Sequence, residues 1–178
     1  GNDGNGDDAG HVRVFEYSGS DWVQLGSDID GEGINNASGI VSLSSDGAIV
    51  AIGSTINEDD AEATGHVRIY EYSGSDWVQL GSDIDGEAEA DLSGNSVSLS
   101  SDGTILAIGA IGNDGNGDDA GHVRVFEYSG IDWVQLGSDI DGETAGDESG
   151  QSVSLSSDGT IVAIGTALNF GNGSYSGH

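Results

Sequence analysis

The sequence predicts an all-β chain assembled from repeated four-stranded units. Three observations carry that prediction: long motifs recur at a nearly fixed interval, the recurring stretches alternate apolar and polar residues with a period of two, and Asp-Gly pairs separate apolar stretches, where tight hairpins form. GHVRVFEYSG at Gly10–Gly19 returns as GHVRIYEYSG at Gly65–Gly74 and as GHVRVFEYSG at Gly121–Gly130, and its first two residues stand again at Gly177–His178, at spacings of 55, 56 and 56 residues. DWVQLGSDIDGE is identical at Asp21–Glu32, Asp76–Glu87 and Asp132–Glu143. SLSSDG is identical at Ser42–Gly47, Ser98–Gly103 and Ser154–Gly159, and AIG closes each unit at Ala51–Gly53, Ala107–Gly109 and Ala163–Gly165. The chain thus divides into a leading loop (1–9), three units (10–64, 65–120 and 121–176) and the start of a fourth (177–178).

Each unit yields four strands in order. GHVRVFEY sets Val12 and Val14 against Arg13, Phe15 and Tyr17. A Ser-Gly turn leads to DWVQLG, rich in residues that suit a pleated surface. SVSLSS alternates Val97 and Leu99 with serines, and Ser-Asp-Gly joins it to TILAIGA, which is apolar on both faces as a doubly buried strand would be. No window shows helical spacing. Four strands per period of roughly 50 residues indicate the blades of a β-propeller, here three units of an incomplete ring. The alternative is a linear β-repeat stack or filament. In blade order the strands run third–fourth, then two full sets, then first–second, so residues 10–30 supply an outer pair and residues 150–165 an inner pair.

Composition bounds the partners. The 178 residues carry a net charge of −29, with three Arg, no Lys, and no Pro, Cys or Met. Such a surface repels nucleic acid and anionic membranes and attracts divalent cations. No apolar run is long enough to span a bilayer as a helix. Without cysteine there is no disulfide framework to indicate a compartment. A chain that begins in mid-pattern suggests a processed protein or a segment of a longer one.

SGQSVSLSSDGTIVAIGTALNFGNGSYSGH resembles the FG-GAP repeat of integrin-α-type β-propellers. Gly39, Gly94 and Gly150 stand at the motif's first glycine, without the preceding Phe. AIGA at Ala107–Ala110 holds the Gly-Ala without the Pro, and GHVRVFEY stands where Gly-x-Val-x-Val-Tyr belongs. The resemblance implies an extracellular, non-enzymatic protein of adhesion, surface coating or structural assembly, with other copies or further repeats of the same chain as partners, and glycans or cell-surface proteins as further candidates. A lectin-like glycan-binding module is the alternative. The family's calcium loop lies between the first two strands, where this chain has only SSDG, so the resemblance brings no metal site there.

The chain's own acidic loops are the Ca²⁺ candidates. Alternate carboxylates followed by Gly place hard oxygens on one curve, which suits Ca²⁺. That pattern is SDIDGE, with Asp28, Asp30 and Glu32 repeated as Asp83, Asp85 and Glu87 and as Asp139, Asp141 and Glu143. The competing reading is a solvated turn. GNDGNGDD, present at Gly1–Asp8 and Gly112–Asp119, offers Asp3, Asn5 and Asp7, and Asp114, Asn116 and Asp118. It lacks the Gly and Glu of an EF-hand loop, and its counterpart TALNFGNGSYS has no carboxylate, so it reads first as a connector of fixed length. His11, His66 and His122, and Arg13, Arg68 and Arg124, occur once per unit and read as structural, each Arg paired with a nearby carboxylate. Trp22, Trp77 and Trp133 read as blade packing ahead of sugar platforms. No catalytic constellation stands out. Asn36 and Asn172 begin glycosylation sequons that matter only in a secreted eukaryotic protein.

Overall fold

The computed structural model describes residues 10–31, 38–56 and 63–167. All the ordered elements among them are strands. β1 (His11–Tyr17) pairs with β2 (Trp22–Asp30) as a two-stranded sheet. A full blade follows: β3 (Ile40–Leu43), β4 (Ile49–Ser54), β5 (His66–Tyr72) and β6 (Trp77–Gln79) in that order, with β7 (Ile84–Asp85) also on β5. The next blade repeats it with β8 (Ser93–Leu99), β9 (Ile105–Ala110), β10 (His122–Tyr128), β11 (Trp133–Gln135) and β12 (Ile140–Asp141). β13 (Ser152–Leu155) and β14 (Val162–Gly165) form a closing inner pair. All named pairs are antiparallel, and the blades do not close a ring within this chain.

The outer strand runs on past the Gly of Leu-Gly-Ser, where the sequence reading ends it, but with a break. In the two full blades it is split into β6 and β7, and into β11 and β12, and in β1–β2 the register shifts between Val12 and Val14. The cause is the Gly of Leu-Gly-Ser, which takes a left-handed backbone at Gly26, Gly81 and Gly137 (φ 68°, 81° and 74°) and bulges the strand there. The Ile-Asp of SDIDGE is therefore strand rather than loop in the full blades: Asp85 lies opposite His66, and Asp141 opposite His122.

The core lies between blades. One cluster joins Ala51, Val67, Ile69 and Ile84 to Val97, Leu99, Leu106, Ile108, Phe126 and Trp133 of the next blade. Another joins Val12 and Ile29 to Val50, Ile52 and Tyr70. The doubly apolar strand is doubly buried, with Leu106, Ala107 and Ile108 at most 1% exposed. The serines of the alternating strand do not face solvent as a polar side would. Ser42 Oγ accepts from the Leu99 amide at 3.0 Å and Ser98 Oγ from the Leu155 amide at 2.9 Å, stitching one inner strand to the next. Beneath them the Ser45 and Ser101 amides donate to Ser101 and Ser157 carbonyls, both at 2.8 Å.

A second clasp joins the outer edges. The Trp77 indole N–H donates to the Leu25 carbonyl at 2.9 Å, and that of Trp133 to the Leu80 carbonyl at 2.8 Å. Beside each indole an Asp accepts from the preceding blade's Gly-Ser: Asp76 from the Ser27 amide and Asp132 from the Ser82 amide, at 3.0 and 2.9 Å. These amides, together with those of Trp77 and Trp133, hold both carboxyls below the ordinary carboxylate value. Trp77 and Trp133 are thus blade-packing residues, while Trp22 is 65% exposed.

Two outcomes follow for stability. Trp133→Phe removes the indole donor and strands the Leu80 carbonyl, so it should cost about 1 kcal/mol in urea unfolding, whereas Trp22→Phe, at a 65% exposed position, should be near neutral. The second outcome concerns the hairpin turn. Asp158 accepts from the Ser156 hydroxyl at 2.7 Å and from the Thr160 amide and hydroxyl at 3.1 and 2.8 Å, which lowers its pKa from 3.8 to about 2. A depressed carboxylate stabilises the fold above its unfolded pKa and loses that effect as pH falls through the folded value. The melting-temperature advantage over Asp158→Asn should therefore be full above pH 3.8 and fade toward pH about 2. An advantage independent of pH would show that charge plays no part in the turn.

Candidate functional site

The polar residues that sequence singled out collect along the seams between blades. In SDIDGE the first Asp is held from its own strand: Asp28, Asp83 and Asp139 accept from the side-chain amides of Gln24, Gln79 and Gln135 at 2.7, 2.5 and 2.6 Å. The second Asp serves through its main chain. The Asp30 carbonyl accepts from Arg68 Nη2 at 3.2 Å, and the Asp85 carbonyl from Arg124 Nη2 at 2.7 Å. The expected arginine–carboxylate pairing is seen for Arg124, at length, with its Nη1 3.6 Å from Glu87. Its closer hold is on the neighbouring blade's backbone. Arg13, Arg68 and Arg124 also lie 5.4–5.7 Å from the ring centres of Phe15, Tyr70 and Phe126.

The described GNDGNGDD copy is a turn whose side chains bind backbone. Asn113 Oδ1 accepts from the Gly115 amide at 2.9 Å, and Asp114 Oδ1 from the Asp119 amide at 2.8 Å. The Asn116 side-chain amide donates to the Gly142 and Glu143 carbonyls at 2.8 and 3.2 Å, and the Asp118 carbonyl accepts from Gly146. The loop is anchored to the outer edge of its own blade and to the connector that follows. Asp3, Asn5, Asp7 and Glu32 lie outside the described residues, as do the sequon residues Asn36 and Asn172.

Among the described residues one trio brings potential metal ligands together. A ring nitrogen of His122 and carboxylate oxygens of Glu87 and Asp139 all lie within 4.8 Å of one another. Glu87 follows β7 of one blade, and His122 and Asp139 belong to the next, so two successive SDIDGE segments contribute one carboxylate each. His122 is 1% exposed at the head of β10, and Asp139 is half-buried. Burial first, and Arg124 second, lower the His122 pKa below its ordinary 6.5. The imidazole is therefore neutral at pH 7, with a free lone pair. Reading each histidine as structural overlooked this meeting. The available signal was spacing, since 35 residues separate Glu87 from His122 and 17 separate His122 from Asp139.

Sequence reasoning also missed two buried carboxylates, Asp91 and Asp147, each 1% exposed. Asp91 accepts from the Glu87 and Ala88 amides at 3.0 and 2.9 Å, and Asp147 from the Thr144 amide at 2.9 Å. Each shapes the connector that follows its blade, and Asp91 in doing so places Glu87. Their matching positions in EAEADLSG and ETAGDESG were the legible clue.

Among solved structures, the chain is similar to Kuenenia stuttgartiensis hydrazine synthase at 14% identity and TM-score 0.52, over 90% of this chain and 37% of that one. It is also similar to TolB from Acinetobacter baumannii at 13% identity and TM-score 0.44, over 87% of this chain and 34% of that one. The chain spans about a third of the length of these structures. At such identity the first likeness speaks to fold alone, and the second carries no argument. No curated protein matches the sequence. Residues 83–126, from the second residue of one SDIDGE segment through β7, β8, β9 and most of β10, match the FG-GAP repeat family. The four-stranded antiparallel blades are those of an all-β, propeller-type repeat fold, and the second full blade carries the stretch that matches an FG-GAP repeat.

Proposed function

We propose that the protein is a non-enzymatic, extracellular repeat protein of structural assembly and adhesion, whose blades join end to end with further repeats or further copies of the chain. One observation carries this reading: the described ends hold complementary halves of a blade. β1–β2 is an outer pair without its inner pair, and β13–β14 an inner pair without its outer pair. The contacts that seal the internal junctions are half-made at these ends. Phe15 and Trp22 are 42% and 65% exposed, against 7% and 9% for their equivalents Phe126 and Trp133. A Cβ on Gly26 or Gly81 would lie 3.0 or 2.9 Å from the Cδ1 of the following blade's Trp, while a Cβ on Gly137 would meet none of the described residues within 4 Å beyond its chain neighbours. An Asp21-Trp22 arriving at Leu136-Gly137-Ser138 would repeat a clasp the chain already makes twice. Such a head-to-tail contact gives a ring or a filament according to the rotation per step.

Other properties agree with this reading. FG-GAP repeats are commonly extracellular, and among the described residues no helix is long and apolar enough to cross a membrane, which says nothing of β-barrels. Polar motifs repeated in every blade suit a scaffold more than a single asymmetric catalytic pocket. The lectin alternative draws less support, because Trp77 and Trp133 hold their indoles in the interblade clasps.

The isolated chain should associate in light scattering at about 0.15 M salt, where its self-repulsion is screened. Trp22→Ala blunts one end, and Gly137→Asn, in a residue type that tolerates the left-handed backbone, blocks the other. Each variant alone should be monomeric, and an equimolar mixture should stop at a dimer. A folded wild-type monomer with no tendency to associate would overturn the reading. Calcium forms a separate part of the proposal: millimolar Ca²⁺ should raise the melting temperature, since a ligand of the native state stabilises it. Asn at Asp30, Asp85 and Asp141 should remove the rise, and a melt indifferent to Ca²⁺ and chelator would exclude the SDIDGE segments as calcium sites.

A further inference from the structure

We infer that Glu87, His122 and Asp139 form a binding site for a divalent transition-metal ion of the Zn²⁺ class at the seam between two blades. The carboxylates alone would mean little on so acidic a chain. The histidine distinguishes this cluster. His122 is buried, and its Nε2 has no hydrogen-bond partner among the described residues, a costly state for an imidazole held from water. The same ring places a nitrogen within 4.8 Å of both carboxylates. A metal bond would satisfy the ring and the two anions together.

The donor set selects the ion. Ca²⁺ and Mg²⁺ prefer oxygen ligands, while one imidazole and two carboxylates match the mixed nitrogen and oxygen sites of Zn²⁺, Co²⁺ and Ni²⁺. In a tetrahedral site with bonds of about 2.0–2.2 Å the ligand atoms stand roughly 3.4 Å apart, so the trio must close by about 1.4 Å at most. Glu87 is exposed and free to supply that movement. Asp139 is held, and so is the main chain from which the Glu87 side chain projects. Gln135 fixes Asp139 through a 2.6 Å hydrogen bond, the kind of outer contact that orients a metal ligand. Asp91 fixes the main chain of Glu87 through its amide. Arg124 does not close the site, since its guanidinium is anchored on the Asp85 carbonyl and stands 3.6 Å from Glu87. Three protein ligands leave a fourth position for water or for a donor from a partner.

The site is distinct from the SDIDGE calcium candidates, because it takes one acid from each of two segments and adds a histidine. The sequence repeats its spacing: Glu32, His66 and Asp83 stand 34 and 17 residues apart, and Glu143 precedes His178 by 35.

Calorimetric titration of the whole 178-residue chain with ZnCl₂, in a large excess of Ca²⁺ to occupy the general acidic surface, tests the site. A saturable Zn²⁺ component is expected. His122→Gln should weaken it at least about tenfold, as should the double variant Glu87→Gln/Asp139→Asn, which keeps the histidine. Imidazole ¹H–¹⁵N spectra of the wild type need no variant: Zn²⁺ should move the His122 ring resonances and leave those of His11 in place. Equal Zn²⁺ binding by wild type and both variants, or unmoved His122 resonances at saturation, would overturn the site. The readout does not depend on self-association, which the blunted Trp22→Ala chain removes.

Discussion

The spacing between blades rests on a contact that no side chain makes. In the first two units the Gly of Ala-Ile-Gly meets the first Gly of the next blade's inner strand, and there is room for nothing larger. A Cβ on Gly53 would stand 2.2 Å from the Gly94 carbonyl oxygen, and one on Gly109 would stand 2.2 Å from that of Gly150. With the backbones this close, the other interblade contacts come into range together. The serine hydroxyls of one inner strand reach the amides of the next. The Trp indoles reach the preceding outer edge. A methyl group at either glycine would open the junction by more than a hydrogen bond tolerates, loosening the serine and tryptophan contacts with it. The two glycines of the FG-GAP pattern thus have a physical role here even where its Phe and Pro are missing.

Because the core lies between sheets, burial depends on position in the array more than on residue type. GHVRVFEY is identical at Gly10–Tyr17 and Gly121–Tyr128, yet Phe15 is exposed where Phe126 is buried, and Arg13 is exposed where Arg124 is buried. An isolated blade would therefore lack a core. Its stability is borrowed from its neighbours, as in other stacked repeats, and grows with each junction added. The apolar surface at an open end is the same surface that makes the internal junctions. A partner that is another blade of this kind needs no new complementarity.

How much was legible follows from which forces are local. The Ser-Asp-Gly hairpins, the doubly buried Ile-Leu-Ala-Ile strand and the blade period are local or periodic and can be read directly. The serine alternation could be read as a strand. Its partners could not, because the acceptor for the Leu99 amide is Ser42, 57 residues away. The Gly of Leu-Gly-Ser looked like the end of a strand, since a left-handed residue usually marks a turn. Pairing on β5 and β10 carries the chain through the bulge instead. The metal candidates show the same limit. Adjacent carboxylates in SDIDGE suggested one loop per ion, whereas the fold brings together carboxylates from successive segments.

Strong repetition also drew the reading of His122 toward its own blade and away from its neighbours across the seam. A residue present in every blade is expected to serve the blade, and an asymmetric pocket is expected to use each residue once. A propeller seam escapes that opposition, because it repeats while drawing its groups from two blades. Structural residues can therefore assemble a recurrent site without any blade containing one. The Arg124 contact shows the principle: one side chain holds the Asp85 backbone of the preceding blade and lies beside Glu87 and His122. At a charge of −29 such seams are also where a cation would relieve the most repulsion, since carboxylates from two blades converge there. A cation held there would contact both blades and neither alone, so its binding energy would be junction energy. Structural assembly and metal binding would then be linked, with each junction that forms creating the site that strengthens it.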